Sequence, residues 1–299
     1  MNALKLAAID IGSNAARLLI AEVTIEDNAP QFNKINLVRV PLRLGFDVFE
    51  RGEISSTKKD MVLQTMKAYR HLLNAYGIKH LKACATSAMR DAANSTEIIN
   101  TIKAETGIDI KVITGDEEAS YIYENHIAEN LDKQHSYLYI DVGGGSTELT
   151  FFDDSKLKYK ESFNIGTIRL LKGLVDEKAW DEMKDHLKSN TKSALPMIAI
   201  GSGGNINKVF SLSKRKEGKS LHIELLKDYY KELSSVSLDD RMRLYKIRED
   251  RADVIVPALL IYMNVMRWAN IDEIHVPKIG LADGLIQSLY EEITQKQIS

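Results

Sequence analysis

Apolar and polar positions along this chain follow two alternating periods, which predict strands and helices in turn. An apolar run at residues 4–9 leads into a turn and then into a second run at 17–23, the pattern of a β-hairpin. Residues 55–76 instead carry apolar side chains at helical spacing, with Ser55 as the start and Gly77 as the stop. Strand patterns that alternate with helical ones indicate an α/β fold.

The strand–turn–strand pattern of the N-terminus occurs a second time in the chain. Its first turn reads Asp10-Ile-Gly-Ser-Asn14, and the second, Asp141-Val-Gly-Gly-Gly-Ser-Thr-Glu148, follows the apolar run 137–140. Each copy is followed by a further strand-like segment and by a helical pattern. The repeat predicts two related domains, with a ligand held in a cleft between them.

Length and composition are consistent with two domains. A chain of 299 residues with 44% hydrophobic residues can bury two ordinary cores. We expect a first domain at 1–122, a second at 123–282, and a C-terminal helix at 283–299 that can return to the first domain. Residues 251–270 predict one long, buried helix of the second domain.

Charge and residue usage exclude several classes of function. The formal net charge of −2 argues against a nucleic-acid binder, so local arginines and backbone amides must meet any anionic substrate. The N-terminus lacks the pattern of a signal peptide, and no apolar run approaches the ~20 residues of a membrane span, so we expect a soluble, cytoplasmic protein. Cys84 is the only cysteine, which rules out an internal disulfide.

The second glycine turn has the composition of a phosphate-binding loop. Gly143, Gly144 and Gly145 let the backbone approach a ligand closely, so that successive N–H groups can point at one phosphate. Asp141 and Glu148 at its two ends are hard oxygen ligands of the kind that hold Mg²⁺ beside such a phosphate. A plain hairpin turn with a solvated acid at each end is the alternative.

A loop at the carboxyl end of a predicted strand carries short hydroxyl side chains and one arginine. Ser87 and Arg90 lie in this loop, immediately before a helical segment, where an α/β sheet places ligand contacts. We expect Arg90 to grip a phosphate through two parallel hydrogen bonds. The alternative is that Arg90 and Asp91 only cap the following helix.

The composition of two other loops is consistent with either a ligand contact or a plain turn. Gly201-Ser-Gly-Gly204 follows a predicted strand and opens a helix, which makes it either a third anion site or a tight turn. The segment Arg43-Leu-Gly-Phe-Asp47 holds one cation and one acid. It is either a plain surface turn or a ligand contact.

Three consecutive acids begin the predicted helix that follows Gly115 and runs to about residue 130. The helix dipole favours acids in a first turn, so Asp116, Glu117 and Glu118 can all be capping charges. The functional alternative is that one carboxylate accepts the proton of an attacking water. This helix also links the two halves, and a hinge there would open and close the cleft.

Together these motifs resemble those of the exopolyphosphatase and guanosine pentaphosphate phosphohydrolase family (Ppx/GppA). The resemblance covers nearly the whole chain, in the family's order, and rests on Asp10-Ile-Gly-Ser-Asn14 with Arg17, Arg43-Leu-Gly45, Thr86-Ser-Ala-Met-Arg90-Asp-Ala, Gly115-Asp-Glu-Glu-Ala119, Asp141 to Glu148, Gly166-Thr-Ile-Arg169, Gly201 to Gly204, Arg251-Ala-Asp-Val-Ile-Val-Pro257 and Gly280-Leu-Ala-Asp-Gly284. Each motif alone is weak, whereas so many in one order are strong.

The resemblance implies the actin-like fold that sugar kinases and heat-shock ATPases share, with two ribonuclease-H-type domains around a cleft. It implies removal of the terminal phosphate of polyphosphate, or of the 5′ phosphate of guanosine pentaphosphate. It also implies that Glu118 is the general base and that Asp141 and Glu148 occupy the positions of the magnesium-site acids. Family members often pair, so we expect a homodimer.

The residues and the resemblance together predict one hydrolytic site with Mg²⁺ as its cofactor. Water activated by Glu118 attacks the end phosphorus, and Arg90 takes up charge on the phosphoryl oxygens. The predicted phosphate-binding residues are Asp10, Gly12, Ser13, Asn14, Arg17, Ser87, Gly143, Gly144, Gly145, Ser146, Thr147, Gly201, Gly203 and Gly204. An ATP-dependent phosphotransferase and a nucleotide-binding switch of the same fold are the alternatives.

Two features depart from the family pattern. The family commonly has Gly-Leu-Arg-Glu-Gly near the end, whereas this chain has Ala282 and Asp283, so we expect an arginine contact or a helix cap to be missing there. Long family members also carry a C-terminal phosphohydrolase-like region, and this chain resembles the short, two-domain form. Both polyphosphate and guanosine pentaphosphate stay open as substrates.

Overall fold

A computed structural model describes residues 4–27, 29–123, 133–277 and 279–298. Its contacts divide the chain into two compact units, Met1–Asn125 with Gly280–Ser299 and His126–Ile279. The domain boundaries predicted after residues 122 and 282 lie close to these divisions. The predicted continuation of the Gly115 helix to residue 130, and with it the predicted hinge, falls outside the described residues.

Strands and helices alternate along the chain as the sequence pattern predicts. The described strands are β1 (Leu4–Ile11), β2 (Ala16–Glu26), β3 (Ala29–Val40), β4 (His80–Ala85), β5 (Lys111–Val112), β6 (Ser136–Val142), β7 (Thr147–Asp153), β8 (Lys156–Phe163), β9 (Met197–Ser202), β10 (Leu221–His222) and β11 (Glu273–His275). The described helices are α1 (Gly45–Arg51), α2 (Ser56–Ala75), α3 (Ser87–Asp91), α4 (Ser95–Thr106), α5 (Gly115–Tyr123), α6 (Thr167–Leu171), α7 (Glu177–Asn190), α8 (Gly204–Leu212), α9 (Ile223–Ser234), α10 (Leu238–Tyr245), α11 (Glu249–Ala252), α12 (Ile255–Trp268) and α13 (Leu281–Ile298). None of these described helices combines the length and the hydropathy that crossing a membrane requires.

The first unit is built on one sheet in the order β3-β2-β1-β4-β5. Strands β1, β2 and β3 form an antiparallel meander, and β4 and β5 extend the sheet parallel to β1. Side chains of β1 alternate between two cores: Ala7 and Ile9 pack with residues of α2 and α4, whereas Leu6 and Ala8 pack with residues of α13. Because both faces of β1 are covered, its residues 6–11 are all buried.

Helix α13 belongs to the first unit. Its first turn has a cap, although the departure from the family pattern suggested that a cap or an arginine contact is missing there. Asp283 Oδ2 accepts a hydrogen bond from the Gly280 N–H at 3.0 Å, and its Oδ1 lies 2.6 Å from the Lys34 ammonium. The carboxylate of Asp283 therefore supplies a cap, and of the two expected losses only that of the arginine contact stays a prediction. Along the same helix, a Cβ added to Gly284 would lie 1.8 Å from the Tyr121 carbonyl oxygen of α5. Only a glycine fits there.

Gly284→Ala is expected to destabilise the first unit, because the new methyl group overlaps backbone that has nowhere to move. Overpacking of this kind costs roughly 1–3 kcal/mol, and backbone overlap lies at the upper end. Urea unfolding of the variant should show a lower midpoint than that of the wild-type protein. The matched control is Gly280→Ala, since a Cβ at Gly280 meets no atom within 4 Å. Equal midpoints for the two variants would contradict this packing.

The second unit repeats the arrangement of the first. Its sheet has the order β10-β11-β9-β6-β7-β8, with an antiparallel meander of β6, β7 and β8 and with β9 parallel to β6. Strand β11 continues parallel to β9, and β10 closes the edge antiparallel to β11. Each unit thus opens with a glycine hairpin and continues with parallel strands.

The predicted helix at 251–270 is buried as expected, but it is interrupted. The structure ends α11 at Ala252 and begins α12 at Ile255. The cause is Pro257, whose ring would clash with the carbonyl of the residue four positions earlier, Asp253, in a continuous helix. In the first turn of α12 the same proline is tolerated, and the buried face behind it includes Leu259.

Candidate active site

The first glycine hairpin brings a buried acid and an arginine together. Asp10 is the cross-strand partner of Arg17, and the Gly12 N–H donates to the Ala15 carbonyl at 3.0 Å, which closes the turn. Arg17 Nη1 donates to Asp10 Oδ2 at 2.7 Å, although the Asp10 side chain is only 3% exposed. Burial raises the pKa of Asp10, and the charge and hydrogen bond of Arg17 act against that rise. The structure therefore places these two predicted residues as an ion pair beside the turn.

The loop after β4 is joined to this turn, as the sequence predicts for ligand loops of one sheet edge. The hydroxyl oxygens of Ser13 and Ser87 lie 2.7 Å apart, and both side chains are buried. The Thr86 N–H also donates to the Ile11 carbonyl at 3.1 Å. Two of the predicted phosphate-binding segments thus form one surface within the first unit.

Arg90 does not cap the helix that follows it. Helix α4 begins at Ser95, and its N-cap residue is Asn94. Arg90 instead donates from Nη1 to the Ile113 carbonyl at 2.9 Å, and its Nε lies 4.0 Å from Asp91 Oδ1. The capping alternative is therefore wrong, and the guanidinium is held between α3, in which Arg90 lies, and the segment that leads into α5.

The first turn of α5 separates the two glutamates. Thr114 Oγ1 accepts from the Glu117 N–H at 3.1 Å, and Glu117 Oε2 accepts from the Thr114 N–H at 2.9 Å, which is a capping box. Glu117 also pairs with Lys111 at 2.5 Å, and hydrogen bonds from Lys111 and Thr114 lower the pKa of Glu117. Since Glu117 serves the helix terminus, Glu118 is the candidate base of the pair; it lies one position further along and is half-buried.

The second glycine hairpin has the geometry of the first. Asp141 is the cross-strand partner of Glu148, just as Asp10 is of Arg17. The Gly143 N–H donates to the Ser146 carbonyl at 2.9 Å and closes the turn in the same register. The sequence repeat is therefore a structural repeat of the turn itself.

All three glycine carbonyls of the second turn face α6. Those of Gly143 and Gly144 accept from the first two backbone N–H groups of α6 at 3.0 and 2.8 Å, and that of Gly145 accepts from Arg169 Nε at 2.8 Å. In a trans peptide the N–H points opposite to the C=O, so the N–H groups of Gly144, Gly145 and Ser146 point away from α6. Within the described part of the chain, those of Gly144 and Gly145 donate no backbone hydrogen bond. Rows of N–H groups arranged in this way occur in proteins as nests that bind anions.

Residues just before α6 pack against the carbonyl side of this turn. A Cβ added to Gly166 would lie 2.4 Å from the Gly144 carbonyl oxygen, so only a glycine allows the approach. Thr147 is fully buried, and its hydroxyl donates to the Ile165 carbonyl at 2.6 Å. The side chain of Thr147, which we predicted to bind phosphate, is therefore engaged in anchoring the turn.

The acids of the second hairpin form a donor set for a hard cation. A carboxylate oxygen of Asp141 and one of Glu148 lie within 4.8 Å of each other. Glu148 is buried, and its Oε1 accepts from the hydroxyls of Ser146 at 2.6 Å and Ser162 at 2.9 Å. Two oxygen-donor carboxylates, one of them fixed in orientation, fit the ligand preference of Mg²⁺.

The loop between β9 and α8 lies against Asp141. Gly203 has a φ of +107°, and a Cβ there would lie 3.2 Å from Asp141 Oδ1. The buried Tyr262 hydroxyl donates to the Ser202 carbonyl and holds the loop in place. Burial and the neighbouring charge of Asp141 raise the pKa of Tyr262, so this hydroxyl keeps its proton.

Two further glycines of this loop lie against side chains, and one of these is an arginine that we did not predict as a site residue. A Cβ on Gly201 would lie 2.7 Å from Ile274 Cδ1, so this glycine serves the packing of β9 against β11. A Cβ on Gly204 would lie 2.7 Å from Arg251 Nη2, which puts a guanidinium at the first residue of α8. Arg251 was predicted only as part of a buried helix. Its one sequence signal is the 251–257 motif.

Comparison with known proteins decides the family. The profile of the Ppx/GppA phosphatase family matches residues 23–292. The chain belongs to this family. The Ppx/GppA identity predicted from the motifs is therefore confirmed.

Individual relatives have related activities in their names. A bifunctional 3-dehydroquinate synthase/phosphatase of Fusobacterium nucleatum is 28% identical over 97% of this chain, which spans about half of that protein, 47%. Exopolyphosphatase 1 of Mycobacterium tuberculosis is 24% identical over 95% of this chain and 87% of its own length. The chain thus spans most of one relative and about half of the other.

A solved structure supports the fold. The Ppx/GppA family member of Aquifex aeolicus has a TM-score of 0.75 and 25% sequence identity, over 98% of this chain and 99% of that one. With the two sheets described above, this likeness confirms the predicted fold class, an α/β fold of two actin-like ATPase domains.

Proposed function

We propose that this Ppx/GppA protein hydrolyses the terminal phosphate of inorganic polyphosphate, the 5′ phosphate of guanosine pentaphosphate, or both. The observation that carries the proposal is the second glycine turn, whose carbonyls all face α6 and whose N–H groups form an anion nest beside two acids. Membership of the family supports the same conclusion, since its members include exopolyphosphatases. Amides and arginines in this pattern suit a phosphoryl group better than any neutral substrate.

Glu118 is the proposed general base. It accepts the proton of the attacking water, a role for which Glu117 is unsuited because the capping box and Lys111 engage its carboxylate. Arg90, held by the Ile113 carbonyl, is the proposed clamp on phosphoryl oxygens, and Arg251 beside Gly204 is a second cation for them. The turn N–H groups stabilise the charge that develops on those oxygens.

Mg²⁺ is the proposed metal, with Asp141 and Glu148 as its protein ligands. When bound, it would neutralise charge on the departing phosphate chain. The hydroxyls of Ser146 and Ser162 orient the Glu148 carboxylate for this task, so they act as supporting groups rather than ligands.

Glu148→Gln is expected to raise the Mg²⁺ concentration required for half-maximal phosphate release by at least about tenfold, because the amide is a weaker ligand than the carboxylate. A magnesium titration of initial rates measures the effect. Glu161→Gln on the neighbouring strand β8 is the matched control and should leave the titration unchanged. An unaltered magnesium requirement in the Glu148 variant would remove this residue from the metal site.

Location and assembly are part of the proposal. We place the protein in the cytoplasm, because its single cysteine, Cys84, allows no internal disulfide, and we expect a homodimer, because two-fold pairs are the commonest assembly of soluble proteins. The net charge of −2 argues against a nucleic acid as the partner. Light scattering of the purified protein would measure its mass, and a monomer would contradict the assembly.

One assay tests the proposed reaction. Phosphate release is measured side by side from long-chain polyphosphate, guanosine pentaphosphate and ATP, each with Mg²⁺ and with a chelator. Release from either of the first two that depends on Mg²⁺ is the expected result. Transfer of the ATP phosphate to another molecule would favour a phosphotransferase instead, and slow ATP turnover alone would favour a nucleotide-binding switch.

A further inference from the structure

Helix α8 begins beside one of the two proposed magnesium ligands. A Cβ added to Gly203, the residue before the helix, would lie 3.2 Å from Asp141 Oδ1. Because an α-helix rises by 1.5 Å per residue, Lys208 lies only about 7 Å along the helix from that contact. The carbonyls of the second glycine turn face α6, so α8 adjoins the hairpin at a different place, the end of β6. Lys208 therefore lies at the edge of the second unit that carries the proposed metal site.

Two cations share one face of α8. A Cβ added to Gly204, the first residue of the helix, would lie 2.7 Å from Arg251 Nη2. Lys208 follows four positions later, and residues four apart lie on the same face of a helix. Long side chains of a helix lean toward its N-terminus, so that of Lys208 leans toward Arg251. Burial, and after it the charge of Arg251, lower the pKa of Lys208. The two positive charges are therefore close enough to oppose each other.

Within the described part of the chain, no acid pairs with the ammonium of Lys208 and no hydrogen bond engages it, although the side chain is half-buried. Several other half-buried lysines do pair with a carboxylate: Lys58, Lys59, Lys67, Lys82 and Lys184. A partly buried cation that faces a second cation without a counter-charge is unfavourable for the fold. An anion bound at this position would supply the counter-charge.

We propose that Lys208 binds a phosphate group of the substrate other than the one that is cleaved. This inference rests on the proposed function and adds a binding residue to it. The cleaved phosphate belongs at the glycine turn and the metal, whereas Lys208 lies more than one helical turn further on. A lysine ammonium is a compact charge with three donors, which suits phosphate oxygens. Two substrates offer such a group, an inner phosphate of polyphosphate or the 3′ diphosphate of guanosine pentaphosphate.

The test is Lys208→Gln, which removes the charge and keeps a polar side chain. Its affinities for long-chain polyphosphate and for guanosine pentaphosphate are measured by calorimetry with Mg²⁺, in a Glu118→Gln background that slows turnover. We expect Kd to rise by about tenfold for at least one of them, as for the loss of a hydrogen bond between charged groups. The melting temperature should not fall, because no described residue loses a partner. Lys188→Gln is the matched control: this exposed lysine lies on α7 of the same unit, and its loss should leave Kd unchanged.

A second variant separates the charge from the shape of the side chain. Lys208→Arg keeps the charge, so its Kd should lie between those of the parent protein and the glutamine variant. A rise for polyphosphate alone assigns the contact to an inner phosphate of the chain, and a rise for guanosine pentaphosphate alone assigns it to the 3′ diphosphate.

Two results would overturn the inference. One is a Kd within about twofold of the parent protein for both substrates in Lys208→Gln. The other is a raised Kd that accompanies a lower melting temperature, because Lys208 would then serve the fold. Wild-type protein that binds either substrate without cleaving it contradicts only the proposed function, whereas absence of binding overturns both.

Discussion

Glu118→Gln is expected to lower the rate of phosphate release by ~10²–10⁴-fold, the usual cost of losing a general base. The amide keeps the size and shape of the side chain but cannot accept the proton of water. Substrate affinity should change little, so the loss should appear in kcat rather than KM. Steady-state phosphate release from polyphosphate or guanosine pentaphosphate measures it.

The neighbouring residue supplies the control. Glu117→Gln removes the same charge one position earlier, in the same helical turn, but from the capping box with Thr114. It should cost about 1 kcal/mol of stability and leave kcat within a few fold of wild type. A Glu118 variant with wild-type kcat, or a Glu117 variant with the larger loss, would reverse the assignment.

Gly166→Ala is expected to reduce activity by roughly 10²-fold through displacement of the second glycine turn. The added Cβ would lie 2.4 Å from the Gly144 carbonyl oxygen, so the turn must move away from α6. A shift of about 1 Å in a group that positions the substrate can cost that much. Phosphate-release kinetics, measured with circular dichroism to confirm folding, test the expectation.

To interpret a loss of activity in Gly166→Ala, displacement of the glycine turn must be distinguished from unfolding of the protein. Gly284→Ala in the first unit introduces comparable overlap away from the glycine turn, so it serves as a variant whose main effect is on stability. If Gly166→Ala loses activity only in proportion to the unfolded fraction, then the orientation of the turn by α6 is not important for catalysis.

Local sequence signals predicted the hairpins and several contacts between loops. An Asp-x-Gly turn between two apolar runs is typical of a β-hairpin, so both turns were predicted, and the structure has Asp10 and Asp141 at equivalent positions of the two hairpins. The capping box of Thr114 and Glu117 was also a local signal, since a hydroxyl three residues before a glutamate is readable in the sequence. It would have separated Glu117 from Glu118 without a structure.

Contacts between distant segments could not be predicted in this way. Arg251 meets Gly204 only because α11 and α8 belong to the same packed unit, and Gly166 supports a turn some twenty residues earlier. Nothing in the composition of either segment specifies these neighbours. The break before Pro257 is a different case: we predicted a continuous helix there, although the rule that excludes proline from a helix interior would have predicted the break.

Oxygen-18 incorporation tests the central claim, attack of water on the terminal phosphorus, most directly. The protein is incubated with long-chain polyphosphate and Mg²⁺ in labelled water, and the released phosphate and the shortened chain are analysed by mass spectrometry. The account predicts one solvent oxygen in each released phosphate and none in the remaining chain. Label in the chain with unlabelled phosphate released, or no release of phosphate at all, would contradict it.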